Sequence, residues 1–403
     1  MQHRTRFTRR QVLAGLTMGL ASVACAPAST FGGGQGAPVP SPSPSPGTTG
    51  DGGPPCSATT AYMTFAINVH DWVHLDESAA TLLRATSIFE KHGVHGDFYL
   101  TGEMVNRYRK SRPDVIERLR ASQMTISYHV RPPHPLYDGF GGALKKLSDG
   151  ALRQALLDYE TYGLDMATGG LIRSEPGGWS LVAEALGTTP VVCGVPTGDP
   201  RIKAAAMENY RALGARMVVA YHETGTRPER PFEYVDGLLA RPSDFSVTRW
   251  RAESLSATSQ GGANDPFWWN FMGTPHEDVY NPTGYLQQRL SDWSEARPPF
   301  VTSLIHENNF PRSGPEVWTP IYWEGGDKSL PASPPYNMAA PDPSKLRTQS
   351  QADAIWEAYE ELVAYAAANL AVVTSAEIVS LAEASGTGGQ AAPWCPGAPS
   401  SHG

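Results

Sequence analysis

No run of lysine or arginine follows the first ten residues of this 403-residue chain, and its formal net charge is −8. A basic stripe is the electrostatic footprint of a nucleic-acid binder, so that class is excluded. Also missing is any G-x-G-x-x-G turn after the first strand-like run, any Walker phosphate loop and any G-x-S-x-G elbow. Dinucleotide, nucleotide and serine-esterase chemistry thereby lose their usual signatures. Cysteine is scarce, with 4 in all, so the chain is not a dense disulfide scaffold. The apolar stretch at residues 12–24 falls short of the roughly 20 residues a transmembrane helix needs, and no span is expected in a mature form.

What is present begins with a leader. Residues 1–25 carry Arg4, Arg6, Arg9 and Arg10 ahead of that apolar stretch, the layout of a secretory signal. Thr8-Arg9-Arg10-Gln11-Val12-Leu13 resembles a twin-arginine export signal. Ser22-Val23-Ala24-Cys25 resembles a lipoprotein box with a lipid anchor at Cys25; ordinary cleavage near Ala24 or Ala26 is the alternative. Residues 26–57 are rich in Pro, Ser and Gly and read as an extended tether, followed by a folded domain over 58–395 and a tail over 396–403. An exported, bacterial cell-envelope or secreted location follows. Cys193, in the apolar run PVVCGV, reads as a buried inert residue, whereas Cys56 and Cys395 bracket the domain and are candidates for a disulfide.

From Ala61 onward strand-like and helix-like runs alternate. AYMTFAINVH, GDFYLTGE, QMTISYHV, GGLIRSEP, PVVCGV, ARMVVAYHE and PFVTSLIHE read as strands, with amphipathic helices between most of them. Irregular stretches are expected from about Thr224 to Pro298 and again up to about Ser350, followed by the helix QADAIWEAYEELVAYAAANL. This alternation predicts an α/β fold, a distorted (β/α) barrel of about seven parallel strands.

In such barrels reacting groups project from the C-terminal strand ends. Those ends carry His70-Asp71-Trp72, His129 with His134 beyond it, Arg173-Ser174-Glu175, His222-Glu223 and His306-Glu307-Asn308-Asn309. An Asp with two His is a common set for a divalent metal, most often zinc, so Asp71, His129 and His134 are the predicted ligands. The Pro132-Pro133 bend would return His134 toward His129. His306 is a candidate acid or a satisfied buried polar residue, Arg173 an orienting group or half of a structural ion pair, Trp72 and Trp179 candidate sugar-facing rings or core, and Asn308 and Asn309 substrate contacts or turn formers.

Taken in order, these motifs resemble the polysaccharide deacetylase family, the NodB-homology domain of carbohydrate esterase family 4, over about residues 61–380. His70-Asp71 stands where the family has Asp-Asp. His129 and His134 match its two metal-binding histidines with one extra residue between them. Ile172 to Trp179 matches the Arg-Pro-rich third motif, and Leu304-Ile305-His306 its late Leu-x-His. The resemblance implies a metal-dependent hydrolase that removes acetyl groups from a carbohydrate. Asp71, His129 and His134 would hold the metal, His70 or Glu175 would be the base oriented by Arg173, and His306 the acid. His70 in place of the family's first Asp leaves open a third imidazole ligand or a different reaction. Another metal-dependent hydrolase on the same barrel, or a carbohydrate-binding lipoprotein without activity, are the rival readings.

Overall fold

The first strand, β1 (Tyr62–Val69), is buried at every position, as expected of a strand covered on both faces. Around it the computed structural model builds a curled, mostly parallel sheet. It describes residues 61–219, 232–247, 280–295, 297–313, 316–326 and 330–385. Cys25, Cys56, Cys395, His222, Glu223 and the aromatic run Phe267-Trp268-Trp269 lie outside the described residues.

The remaining strands are β2 (Asp97–Leu100), β3 (Thr125–Tyr128), β4 (Tyr162–Leu164), β5 (Leu171–Pro176), β6 (Val192–Cys193), β7 (Met217–Val218), β8 (Glu233–Val235), β9 (Leu238–Ala240), β10 (Phe245–Ser246), β11 (Phe300–His306), β12 (Arg312–Ser313), β13 (Lys345–Leu346) and β14 (Ala371–Val372). The main sheet runs β10-β11-β1-β2-β3-β6-β7-β9-β8. All neighbours in it are parallel except β8, which closes antiparallel on β9. Helices α1 (Leu75–Lys91), α2 (Gly102–Ser111), α3 (Pro113–Ala121), α4 (Asp149–Tyr159), α5 (Gly178–Leu186) and α6 (Pro200–Ala212) make the crossovers. This is the distorted (β/α) barrel predicted from the alternation. Among the described residues no ladder joins its two edges, but Phe232 packs on Phe300 across the seam with ring centres 5.6 Å apart.

Register decides which side chains face inward. Val69, Leu100, Tyr128, Cys193, Val218 and Ala240 lie at one level. One residue earlier come Asn68, Tyr99, Ser127, Val192, Met217 and Leu239, which alternation turns to the opposite face. Tyr99, Val192, Met217 and Leu239 cluster with Tyr62, Ala66 and Phe300, and with Ile378 and Leu381 from the helix Ser375–Ala384. That cluster is the barrel interior. Met63, Phe65, Ile67, Val69, Leu100 and Tyr128 belong instead to the core under the helices.

The floor is plugged. β14 pairs with Tyr62 and Met63, below the point where β2 joins β1 at Ala66. Ser375 then donates from its backbone N (3.1 Å to Asp97 Oδ1, 3.0 Å to Oδ2) and from its Oγ (2.7 Å to Oδ2), which anchors the last helix to the start of β2.

One predicted strand is displaced. GGLIRSEP was expected inside the parallel sheet, but β5 pairs antiparallel with β4 as a separate hairpin. The cause is compositional: Arg173, Ser174 and Glu175 give the run no second apolar face, and no residue of β5 is buried. The short apolar β6 takes its place next to β3. Gly178 lets the chain re-enter α5 with φ +53°, where a Cβ would stand 2.4 Å from the Cα of Glu160. The first irregular stretch also holds structure that the sequence did not suggest: the β8–β9 hairpin, β10 and the helix Pro282–Ser291.

Candidate active site at the barrel mouth

Two residues beyond the inward-facing Asn68 and Ser127, on the same face, come His70 and His129, and Asn68 is in register with His306. The strand periodicity therefore delivers three imidazoles to the mouth, each at most 3% exposed: His70 2%, His129 1% and His306 3%. The ring centres of His70 and His306 are 4.5 Å apart, and those of His70 and His129 6.0 Å apart.

Arg131 continues the same alternation beyond His129 and enters the group. Its Nη2 lies 3.0 Å from His70 Nε2 and 3.2 Å from His306 Nε2. A guanidinium only donates, so both Nε2 atoms accept, and both rings carry their proton on Nδ1. Behind His306, Glu316 Oε1 stands 3.8 Å from Nδ1. Trp318 walls the site with its ring centre 4.6 Å from that of His70, and the Tyr137 hydroxyl lies 3.4 Å from Arg131. Burial, and then the Arg131 charge, hold the His129 pKa well below the usual imidazole range, so it is neutral at physiological pH.

Glu307, in the sequence simply part of a strand end, organises the site. It follows His306, the register partner of Asn68, and its Oε1 accepts the backbone N–H groups of His70 and Asp71, each at 2.5 Å. Burial, together with the Asp71 carboxylate, pushes its pKa up to about 8. Arg131 is hidden in the sequence because Arg-Pro-Pro reads locally as a turn. The signal that would have found it is alternation carried two residues past His129.

The predicted metal ligands are not gathered. Asp71 Oδ1 accepts from the backbone N–H of Val73 (3.2 Å) and His74 (3.1 Å), and Oδ2 pairs with His74 Nδ1 at 3.0 Å. Its carboxylate thus closes the turn that leads into α1, the ordinary work of an Asp there. His74 in turn reaches Asp342 at 2.8 Å. Although burial lowers the His74 pKa, the hydrogen bond and charge of Asp71 outweigh this and raise it. His134 points the other way. Its Nε2 faces Glu160 Oε1 at 3.4 Å, while Glu160 also accepts from the Tyr210 hydroxyl (2.5 Å) and the Trp179 N–H (3.0 Å). A buried carboxylate must collect donors, and His134 is drawn to it. Among the described residues no group of three His, Cys, Asp or Glu side chains is placed to hold a metal ion. The residues at the mouth therefore do not fit the expected Asp71–His129–His134 zinc site.

Arg173 and Glu175 are also elsewhere. On the β4–β5 hairpin Arg173 pairs with Asp158 at 2.7 Å and Glu175 with Lys110 at 3.6 Å, both side chains facing solvent. The displaced strand is the reason. Trp179 is core, packed on Tyr128 and Tyr210, while Trp72 is half-buried beneath Arg107. Asn309 Oδ1 accepts the His306 N–H at 3.0 Å and so builds a turn. Cys193 is buried as expected. Among the described residues no helix is long and apolar enough to cross a membrane.

No protein-family model matches the chain, and no curated protein does. Among solved structures it is similar to Puue allantoinase at 12% identity and TM-score 0.44, covering 81% of this chain and 93% of that one. It is also similar to the peptidoglycan deacetylase PdaC from Bacillus subtilis at 12% identity and TM-score 0.34, covering 80% and 93%. A third is BA3943, a CE4 family pseudoenzyme from Bacillus anthracis, at 12% identity and TM-score 0.30, covering 63% and 58%. Likeness at this level says nothing about the chemistry of the mouth.

Proposed function

We propose that this chain is a hydrolase that removes an acyl group from a carbohydrate-like substrate, with imidazole and guanidinium groups as its reactive parts. The observation that carries this reading is the contact of Arg131 Nη2 with His70 Nε2 (3.0 Å) and His306 Nε2 (3.2 Å) at the buried mouth of the parallel strands. Substrate entry exchanges the hydrogen bond from Arg131 to His306 for one from Arg131 to the acyl carbonyl oxygen. His306 Nε2 then takes a proton from the attacking water, and Glu316 behind Nδ1 stabilises the imidazolium. Arg131 balances the oxyanion as the carbonyl carbon becomes tetrahedral. The acyl C–N or C–O bond breaks, and His306 returns its proton to the departing amine or alcohol. His129, neutral beside them, orients the water. The carbohydrate class rests on the order of the deacetylase-like motifs, and an exported, tethered location on the leader and the linker.

A second reading is favoured by Asp71 and His134 being held by His74 and Glu160. In it the barrel binds an acylated carbohydrate without cleaving it. Acetate release from acetylated glucosamine oligomers, measured beside calorimetric binding of the same oligomers, separates the two. Release that falls about 10²–10⁴-fold in His306→Ala supports hydrolysis. Binding without release by the wild type replaces it with the second reading, and neither binding nor release removes both.

A further inference from the structure

Arginine enters the barrel at a second place. Val69, Tyr128 and Ala240 share a level, so the residues that follow them, His70, His129 and Arg241, share the next one and turn inward. The Arg241 N–H donates to Val218 O at 3.0 Å and carries the β9 ladder through this level. Arg241 is only 6% exposed. From the mouth its side chain reaches toward the floor, where Nη1 donates to the Tyr99 hydroxyl at 2.9 Å. Tyr99 in turn donates to Ser375 Oγ at 3.3 Å, because the Ser375 proton goes to Asp97 Oδ2 at 2.7 Å. This directed chain fixes one end of the guanidinium. Its other edge, Nε and Nη2, has no hydrogen-bond partner among the described residues.

We propose that this edge of Arg241 is the seat of a carboxylate site inside the barrel, which takes the small acid released by the hydrolysis proposed above. Nε–H and the neighbouring Nη2–H run parallel in the guanidinium plane. They match the two oxygens of a carboxylate, the bidentate pairing to which arginine is suited and lysine is not. A buried cation with two unmet donor nitrogens is costly until an anion joins it. Asp97 does not fill that place, since it meets the guanidinium only through Ser375 and Tyr99. The burial of Arg241 selects a small acid over a carboxylate carried on a sugar ring. The identity of the acid rests on the proposed reaction, whereas the site rests on the geometry of Arg241.

Saturation-transfer NMR titration with acetate, and with acetamide and glucuronate as competitors, tests this on the purified chain and on Arg241→Lys, Arg241→Met and Arg131→Gln, each checked for folding by circular dichroism. Wild type is expected to bind acetate at least about tenfold more tightly than acetamide or glucuronate. Arg241→Lys keeps the charge but loses the fork. Like Arg241→Met, it should bind acetate at least about tenfold more weakly than wild type. Arg131→Gln should bind it as wild type does. Acetate binding that Arg131→Gln abolishes, or that a folded Arg241→Lys or Arg241→Met retains, would overturn the proposal. So would a wild type that binds no acetate, or that prefers acetamide or glucuronate. That preference needs the wild type alone, so it decides the matter should neither Arg241 variant fold. Acetate release without acetate binding removes this site and leaves the reaction. Binding without release removes the reaction, and with it the origin of the acid, but leaves the site.

Discussion

The mouth and the floor of the barrel both carry buried polar groups, and they treat them differently. At the floor, Asp97 collects the backbone N–H and hydroxyl of Ser375; burial raises its pKa to about 6, and the Arg241 charge only partly offsets this. Arg241 also donates to the Tyr99 hydroxyl at 2.9 Å. These contacts close the sheet onto its last helix. At the mouth, Asn68 is 1% exposed, yet neither amide atom has a hydrogen-bond partner among the described residues; nor have Glu307 Oε2 and Asn308 Oδ1. An unsatisfied buried polar atom costs about 1–3 kcal/mol. Floor polarity thus mostly holds the fold, although Arg241 Nε and Nη2 also have no hydrogen-bond partner among the described residues, while the mouth leaves more of its polar atoms facing a place where water or substrate can meet them.

The largest stability effect should come from the floor. Asp97→Ala leaves the buried backbone N–H and hydroxyl of Ser375 without their acceptor, and each unsatisfied buried donor costs about 1–3 kcal/mol. Urea unfolding measures this, while acetate release per folded molecule should stay near wild type. The mouth should show the reverse. Arg131→Ala is expected to lower the rate of acetate release by about 10²–10³-fold, with a smaller change in the urea midpoint than Asp97→Ala.

The two regions should also separate in pH. Burial first of all raises the Asp97 pKa from 3.8 to about 6, and burial with the Asp71 charge raises that of Glu307 from 4.5 to about 8. Each native carboxyl holds its proton to a higher pH than the unfolded chain does, so the native state binds more protons between the two values. Stability therefore falls as pH rises, over about 4 to 6 for the floor and about 4.5 to 8 for the mouth. Glu307→Gln keeps an acceptor for the His70 and Asp71 N–H groups and should flatten the fall between pH 6 and 8. Urea midpoints at three pH values check it; an unchanged slope would assign that fall to another group. The smallest effects belong to Arg173→Ala and Glu175→Ala. Their ion pairs are exposed, so each should change stability by less than about 1 kcal/mol and leave acetate release unaltered.

Much of the barrel was legible from periodicity alone. The mostly apolar run from Tyr62 to Val69 announced a central strand, and alternation beyond it set His70 on the inner face. His306 followed from its strand end in the same way. What misled was loop chemistry. Asp71 and His134 have the right types and order for metal ligands, but each sits near a closer competitor: His74 three residues on, and Glu160, which only the packing of α4 against α5 and α6 brings near. GGLIRSEP looked like a strand and was one, but its polar face could not survive inside a two-sided sheet. Glu307 could not be singled out, because its partners are backbone N–H groups and carry no residue code.

The central claim is that chemistry resides in the imidazole–guanidinium group at the mouth and not at the predicted Asp71 centre. Single-turnover acetate release by the wild type, His306→Ala and Asp71→Ala, each confirmed folded, tests it most directly. The account predicts release by the wild type, a loss of about 10²–10⁴-fold in His306→Ala, and a loss of less than about tenfold in Asp71→Ala, whose carboxylate closes a turn. Equal loss in both variants, or a rate that His306→Ala leaves intact, would contradict it.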